Sequence, residues 1–306
     1  MLLKFAIKDY LEEKTFLNLA PRTVKAYGDT LNEFQSFCSD YEIIDTEEIK
    51  ERTIKSYLLY CQRERSNSTL TRNTKLQHLK SFFHFLVDEE IVLEKNNPTR
   101  KLTQAKVDTR LEVFTDEQVR QMLRYYRRLK GRDKTFHAYR GYTMLVFLLG
   151  TGARLGEMIN TKWTDCDLVN HSVIFYGKLK KQQSQPLSDK LVKELCEYRI
   201  YVEKHFKELP THVFTDHKGR PMTPNSVKLV FGRLAKIMNF KGVRVSAHTC
   251  RHYFCSKLLR NGVDAYSVSR LMRHSSIKMT ERYIHIWSDT LKETNDKFNP
   301  LNSLDI

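Results

Sequence analysis

The 306-residue sequence predicts a mainly α protein in two parts. A helical bundle comes first, then a larger mixed α+β domain that is mostly helical with a small antiparallel sheet. Apolar residues recur at three- and four-residue steps through roughly the first 90 residues, the period of an amphipathic helix. The pattern lapses over 89–111, around the turn signal Asn96-Asn97-Pro98-Thr99. Beyond it one stretch, Ser172 to Tyr176, is rich in β-formers, and helical spacing otherwise returns. The expected boundaries are therefore a first domain at 1–98, a linker at 99–111 and a second domain at 112–306.

The elements follow in order. Ala6 to Leu17 carries apolar residues at helical spacing. Arg22 to Cys38 follows Pro21, a residue suited to the first turn of a helix, and repeats Val24, Tyr27, Leu31 and Phe34. Asp45-Thr46-Glu47-Glu48 places acids where a third helix would start, favourable against its dipole. Thr71 to Val87 gathers Leu76, Leu79, Phe82, Phe83 and Leu86 on one stripe, which reads as core, with Arg72, Lys75 and His78 on a polar stripe. In the second domain, helices at about 116–130 and 136–151 precede a strand region at 172–187 that turns through Gly177 to Gln183. Further helices are expected at about 189–206, 224–238, 247–261, 264–273 and 277–285. A last short one runs from Trp287 to Phe298, with Trp287, Leu291 and Phe298 apolar.

Composition excludes several classes. Hydrophobic residues at 41% and charged residues at 29% are ordinary for a globular chain, so full disorder is excluded. No apolar run approaches the roughly 18 residues of a membrane span. Met1 to Lys14 mixes acids and bases and is not a secretory signal. Six scattered cysteines without a repeating spacing read as reduced thiols, and the expected location is the cytoplasm.

The net charge of +16 points to a polyanionic partner. It is unevenly spread. Residues 1–100 carry 15 basic and 16 acidic side chains, so the whole of the excess lies beyond residue 100. Within the first part, Arg52 to Val87 holds seven bases against Glu64 alone. Arg120 to Arg140 holds eight against Asp133, interleaved with Tyr125 and Tyr126. One such run reads equally well as a solvated face. Two on separate segments suggest a surface that grips phosphates in more than one place.

Three short segments carry residues suited to phosphoryl chemistry. Arg154 follows Gly150-Thr151-Gly152 at a helix boundary, with Glu157 one turn on to hold it. In Ser246-Ala-His248-Thr-Cys-Arg251-His252, His248 and Arg251 share a helix face. A metal reading of His248, His252 and the nearby cysteines lacks both the Glu that a metalloprotease helix places beside its first His and any Cys-x-x-Cys pair. Arg273-His274-Ser275 lies shortly before Tyr283. Two arginines, two histidines, a lysine-rich turn and a late tyrosine are together the parts for attacking a phosphodiester without metal. The tyrosine is the nucleophile, and the cations neutralise charge on the nonbridging oxygens.

These segments resemble the signature boxes of the tyrosine recombinase (phage integrase) family. The resemblance covers 143–177 and 246–285, and residues 1–100 are similar to the family's helical core-binding domain. The kind resembled is the simple two-domain, Xer-like one. Because the chain starts directly in the core-binding helices, the arm-binding domain of larger integrases is expected to be absent. The family's Gly-Thr-Gly-x-Arg-x-x-Glu aligns on Arg154 and Glu157, its His-x-x-Arg on His248 and Arg251, its Gly-His-Ser on Arg273-His274-Ser275, and its tyrosine on Tyr283. Its hairpin aligns without a gap on Gly177 to Leu187, which makes Lys178 the candidate catalytic lysine, with Lys180 and Lys181 as alternatives. There are two departures. Leu179 replaces the second hairpin glycine, and Arg273 replaces the glycine before His274, where it would touch DNA or tune the site.

The resemblance implies that Tyr283 attacks in line to give a 3′-phosphotyrosyl bond, and that Arg154 and Arg251 clamp the nonbridging oxygens. His274 would add a hydrogen bond, Lys178 would protonate the leaving 5′-oxygen, and His248 would assist proton transfer at the tyrosine. It implies no cofactor and no metal. The implied partners are double-stranded DNA carrying a specific recombination site, a homotetramer on two such sites, and an accessory directionality protein. The segment after Tyr283 is expected to dock on a neighbouring subunit. Arg22, Lys25, Arg72 and Lys75, on polar helix faces, are the expected DNA contacts of the first domain. Three alternatives share part of the pattern: a type IB topoisomerase, a catalytically silent sequence-specific DNA-binding protein on the same scaffold, and a basic protein that coats nucleic acid.

Overall fold

A computed structural model describes residues 1–107, 111–177, 182–274 and 276–284. The chain divides into two compact units, 1–109 and 110–306, each with its own core. The architecture is mainly helical with one small antiparallel sheet, as the periodicity predicts.

The first unit holds α1 (Leu3–Phe16), α2 (Pro21–Ser39), α3 (Glu51–Arg63) and α4 (Thr69–Asp88). Its core is largely aromatic. Tyr10, Phe34, Tyr57, Phe82 and Phe83 are fully buried, with ring pairs such as Phe34–Tyr57 in edge contact. The aromatic stripe of α4 is therefore core. The third helix begins later than its acids suggest. Asp45 to Glu48 close a single 3-10 turn, in which the Glu48 carboxylate accepts from the Ile44 and Asp45 amides at 3.1 Å each. The chain then extends through Ile49, which is buried, before α3 starts at Glu51. Part of the expected linker packs on this bundle. Leu102 joins its core, and the Asn73 side chain brackets Ala105, donating to its carbonyl at 2.8 Å and accepting from its amide at 3.0 Å.

The second unit is built around α6 (Phe136–Thr151), whose mean composition is apolar and whose sides are nearly all buried. Packed on it are α5 (Asp116–Arg132), α8 (Asp189–Phe206) and α10 (Ala247–Arg260). The short α7 (Leu155–Asn160) follows α6 after a sharp turn. Next comes the sheet of β1 (Cys166–Asp167), β2 (Ser172–Tyr176) and β3 (Gln182–Pro186), antiparallel in that order. α9 (Pro224–Met238), α11 (Ala265–Leu271) and α12 (Lys278–Ile284) complete the unit. The core runs through Phe147, Phe175, Leu195, Tyr198 and Phe214.

The turn between α6 and α7 sets the site. Gly152 ends α6 in left-handed backbone (φ 59°), where a side chain would also collide with the Phe254 ring. The Gln185 amide donates to the Thr151 carbonyl at 2.8 Å and so ties β3 to the same corner. Lys178, Lys180 and Lys181, Ser275, and the expected last helix at 287–298 lie outside the described residues. All six cysteines are free thiols. Among the described residues, no helix is long and apolar enough to cross a membrane, and no group of three or more His, Cys, Asp or Glu side chains gathers as a metal site.

Candidate active site

Four segments far apart in sequence meet at one cavity of about 840 Å³ in the second unit. They are the α6–α7 turn, the start of α10, the turn after α11, and α12. Arg154, His248, Arg251, His252, His274 and Tyr283 all line it.

Glu157 organises the arginines. It sits on α7 with its side chain only 6% exposed. Oε1 accepts from Arg154 Nη1 at 2.7 Å, and Oε2 accepts from the Arg154 amide at 2.8 Å. Oε2 also takes the Arg273 guanidinium, through Nη2 at 3.0 Å and Nε at 3.3 Å. Burial pushes this carboxyl up, but Arg273 and Arg154 outweigh it and hold it below the usual carboxylate range. The Arg154–Glu157 pair is thus one arm of a network in which the Glu157 carboxylate and Arg273 are buried.

Arg251 is held by carbonyls. Nη1 donates to Gly152 O at 2.6 Å and Nη2 to Met272 O at 2.5 Å, with the residue 4% exposed. Burial, with Arg154 and Arg273 nearby, pushes its guanidinium down to about 10, which leaves it charged at neutral pH. Arg154 donates its other nitrogen to the Arg273 carbonyl at 2.8 Å. Both forks are therefore fixed before any ligand arrives, while Arg154 keeps 41% of its side chain exposed.

Arg273 stands at φ 54°, the left-handed region that costs an L-residue about 1–2 kcal/mol. That backbone explains why a glycine suits the position. The strain is offset by what the side chain gains: Glu157, the Leu271 carbonyl at 2.8 Å, and the Phe175 ring 4.4 Å beneath the guanidinium. Buried in this way, Arg273 serves the arginine network from inside.

His274 directs Nδ1 at the Thr280 hydroxyl, 2.8 Å away, with Thr280 wholly buried on α12. Burial, then Arg251, Arg154 and Arg273, push its imidazole down to about 4. Tyr283 is 5% exposed and packs with Cys255, Val268 and Met272. Its hydroxyl meets His252 Nδ1 at 2.5 Å. His248 is exposed and packs edge-on against the His252 ring, with centroids 4.2 Å apart. His252 is the site residue the motifs do not single out. The available signal was its i,i+4 spacing from His248, which puts both on one face of α10.

The four candidates of the first unit differ from one another. Arg22 and Lys25 are exposed on α2. Arg72 is half-buried and donates to the Thr69 hydroxyl at 3.2 Å. Lys75 is committed elsewhere: its ammonium lies 2.7 Å from both Glu33 oxygens, with 12% of the side chain exposed.

The phage integrase family matches residues 112–289, and the phage integrase N-terminal SAM-like domain matches 8–90. The chain belongs to the phage integrase family. Among curated relatives, it is 27% identical over 298 residues to the tyrosine recombinase XerC of Listeria innocua serovar 6a, covering 95% of each chain. It is 30% identical over 274 residues to XerC of Roseiflexus sp. strain RS-1, covering 88% of this chain and 85% of the relative. Two solved structures share the fold. The Tn1549 transposon integrase in complex with transposon right end DNA has TM-score 0.74 at 20% identity, covering 92% of this chain and 94% of that one. The XerH site-specific recombinase bound to a palindromic difH substrate has TM-score 0.75 at 18% identity, covering 90% and 80%.

Proposed function

We propose that this protein is a site-specific DNA recombinase that cuts and rejoins strands through a 3′-phosphotyrosyl intermediate and a Holliday junction. The observation that carries the reading is the convergence of two pre-fixed guanidiniums, His274 and Tyr283 on one cavity, with the Glu157 carboxylate pairing Arg154 and Arg273 behind them.

The chemistry follows from the charges. A free phenol has a pKa of about 10 and attacks poorly at neutral pH. Arg154 and Arg251 hold the nonbridging oxygens of the scissile phosphate, and His274 donates a third bond. The charge that builds on phosphorus then meets donors already in place. Tyr283 Oη attacks phosphorus and the bond to the 5′-oxygen breaks. Lys178 supplies the proton that this oxygen takes, and His248 assists at the tyrosine. The 5′-hydroxyl of another strand reverses the step, so the bond energy is kept and neither cofactor nor metal is consumed. Glu157 supports the arginines. Arg22, Lys25 and Arg72 contact the duplex from the first domain, and most such contacts set position rather than sequence.

The partner is double-stranded DNA with a specific recombination site, and strand exchange requires a homotetramer on two sites. An accessory protein sets direction, and the protein works in the cytoplasm on nucleoid DNA. The test is a nicked suicide duplex carrying a site enriched by rounds of binding selection, incubated in chelator. The expected result is a covalent protein–DNA band with the wild type and none with Tyr283→Phe. Specific binding without a band would overturn the enzymatic reading.

A further inference from the structure

The reading above leaves the destination of the tyrosine proton to His248. The geometry points elsewhere: we propose that His252, through Nδ1, positions the Tyr283 hydroxyl and accepts its proton as Tyr283 attacks. The inference rests on the recombinase reading.

His252 Nδ1 and Tyr283 Oη are 2.5 Å apart, within the range of direct proton transfer and on the short side for a hydrogen bond. The two residues are 31 apart in sequence, so this contact is made by the packing of α12 on α10. The same helix carries Arg251, one residue earlier and anchored by two carbonyls. A single rigid element thus fixes the phosphate clamp and the proton acceptor in one register, and its N-cap, Ser246, accepts from the Thr249 amide at 3.1 Å.

The protonation state fits. The charged and titratable groups facing His252 are His248 and Arg251 on its own helix, His274 from the turn after α11, and Tyr283 on α12. Burial, then His248, Arg251 and His274, push the imidazole down to about 4, so it is neutral at pH 7 and has a free lone pair. With Nδ1 as acceptor, Nε2 carries the ring hydrogen and Tyr283 donates. A phosphodiester held by Arg251 brings negative charge beside the cation that depresses the imidazole. Its basicity then rises as the phosphate enters, and rises further as a second charge develops in the transition state. In the step itself, the Oη–P bond forms, the P–O5′ bond breaks, the phenolic proton moves to His252 Nδ1, and the 5′-oxygen is protonated by the general acid.

The experiment is single-turnover cleavage of the nicked suicide duplex from pH 5.5 to 9.5, with DNA binding measured separately. The variants are His252→Gln and His252→Ala, the latter with and without added imidazole. General-base assistance is typically worth about 100-fold or more, so His252→Gln is expected to cleave about 100-fold more slowly at pH 7 with binding intact. The deficit should narrow as pH rises and the phenol ionises unaided, and imidazole should restore rate to His252→Ala. A deficit that is constant across pH with no imidazole rescue, or no deficit at all, overturns the proposal. A second readout does not depend on the His252 variants folding. The ¹⁵N shift of His252 Nδ1 in the wild type should change in Tyr283→Phe, which removes the donor, and an unchanged shift overturns the pairing. If the wild type itself forms no adduct, the recombinase reading falls. If it does, and His252→Gln matches it, only this inference falls.

Discussion

Replacing Arg273 by glycine removes a strained backbone and a buried cation together, and the structure says which change wins. The backbone at φ 54° costs arginine about 1–2 kcal/mol that glycine does not pay. Glycine's extra freedom in the unfolded chain returns about 0.5–1 kcal/mol of that. Against this small gain stands a carboxylate that loses two of its donors. Stripping one partner from a buried pair costs about 3–5 kcal/mol when the other is left bare. Glu157 is not left bare, because Arg154 still donates to it from Nη1 and from the backbone amide. About half that cost, roughly 2 kcal/mol, is therefore the better figure. Loss of the Phe175 contact adds about 1 kcal/mol. The expected net is a destabilisation of about 2–3 kcal/mol. At about 2–4 °C per kcal/mol for a unit of this size, that is a fall of roughly 8 °C in the melting temperature. The assay is thermal unfolding of wild type, Arg273→Gly, Glu157→Gln and the double variant. The double variant should lose less than the sum of the two singles, since each removes the same pair. A glycine variant at or above the wild-type melting temperature would refute the reasoning, because backbone strain would then outweigh the ion pair.

Other outcomes follow from the same geometry. Gly152→Ala should destabilise by more than about 1–2 kcal/mol, since φ 59° is strained for alanine and the new Cβ strikes Phe254; chemical denaturation checks it. The variant should also slow cleavage, because the Gly152 carbonyl anchors Arg251. Arg251→Lys keeps the charge but cannot span the Gly152 and Met272 carbonyls while facing a phosphate, so adduct formation is expected to drop at least about 100-fold. Stability should fall as pH is lowered from about 6.5 to about 4. His252 and His274 stay neutral in the folded state down to about 4, whereas the unfolded chain takes up their protons from about 6.5, so it binds more protons across that window. Denaturant midpoints at pH 7, 5.5 and 4.5 measure this, and a flat profile would contradict it. Lys75→Ala should lower stability by about 1 kcal/mol or more through Glu33, whereas Arg22→Ala and Lys25→Ala should weaken DNA binding and leave the melting temperature nearly unchanged.

Features that depend on neighbours in sequence are legible from the sequence, and features that depend on packing are not. The α4 stripe and the helices of the second unit rest on apolar spacing, which is local. The late start of α3 is not, because the acids at 45–48 close a 3-10 turn whose geometry follows from burying Ile49. β1 spans two residues, Cys166–Asp167, too few to show alternation, and only its pairing with Val173 and Ser172 makes it a strand. Lys75 lies on a polar stripe and reads as free to meet phosphate, yet Glu33, 42 residues away, claims it. Arg273 reads as a cation in place of glycine, and its fate is decided 116 residues upstream by Glu157.

The charges at the site show why those distant contacts matter for the chemistry. Three guanidiniums, from Arg154, Arg251 and Arg273, surround one carboxylate, Glu157, while the imidazoles of His252 and His274 are held neutral. Among the described residues, the buried centre therefore carries an excess of two positive charges. Such an excess is costly without an anion and is relieved by one. A bound phosphodiester brings one negative charge, and its transition state adds a second. Under the proposed mechanism that excess is lessened by the substrate and lessened further as the bond to Tyr283 forms, the order required for stabilising the transition state over the ground state. Arg273 sharpens this balance. It satisfies the second oxygen of Glu157 from the protein interior, so the half-exposed Arg154 fork need not turn inward to do so. An arginine in strained backbone is therefore consistent with a site whose preorganisation is maintained at some expense in stability.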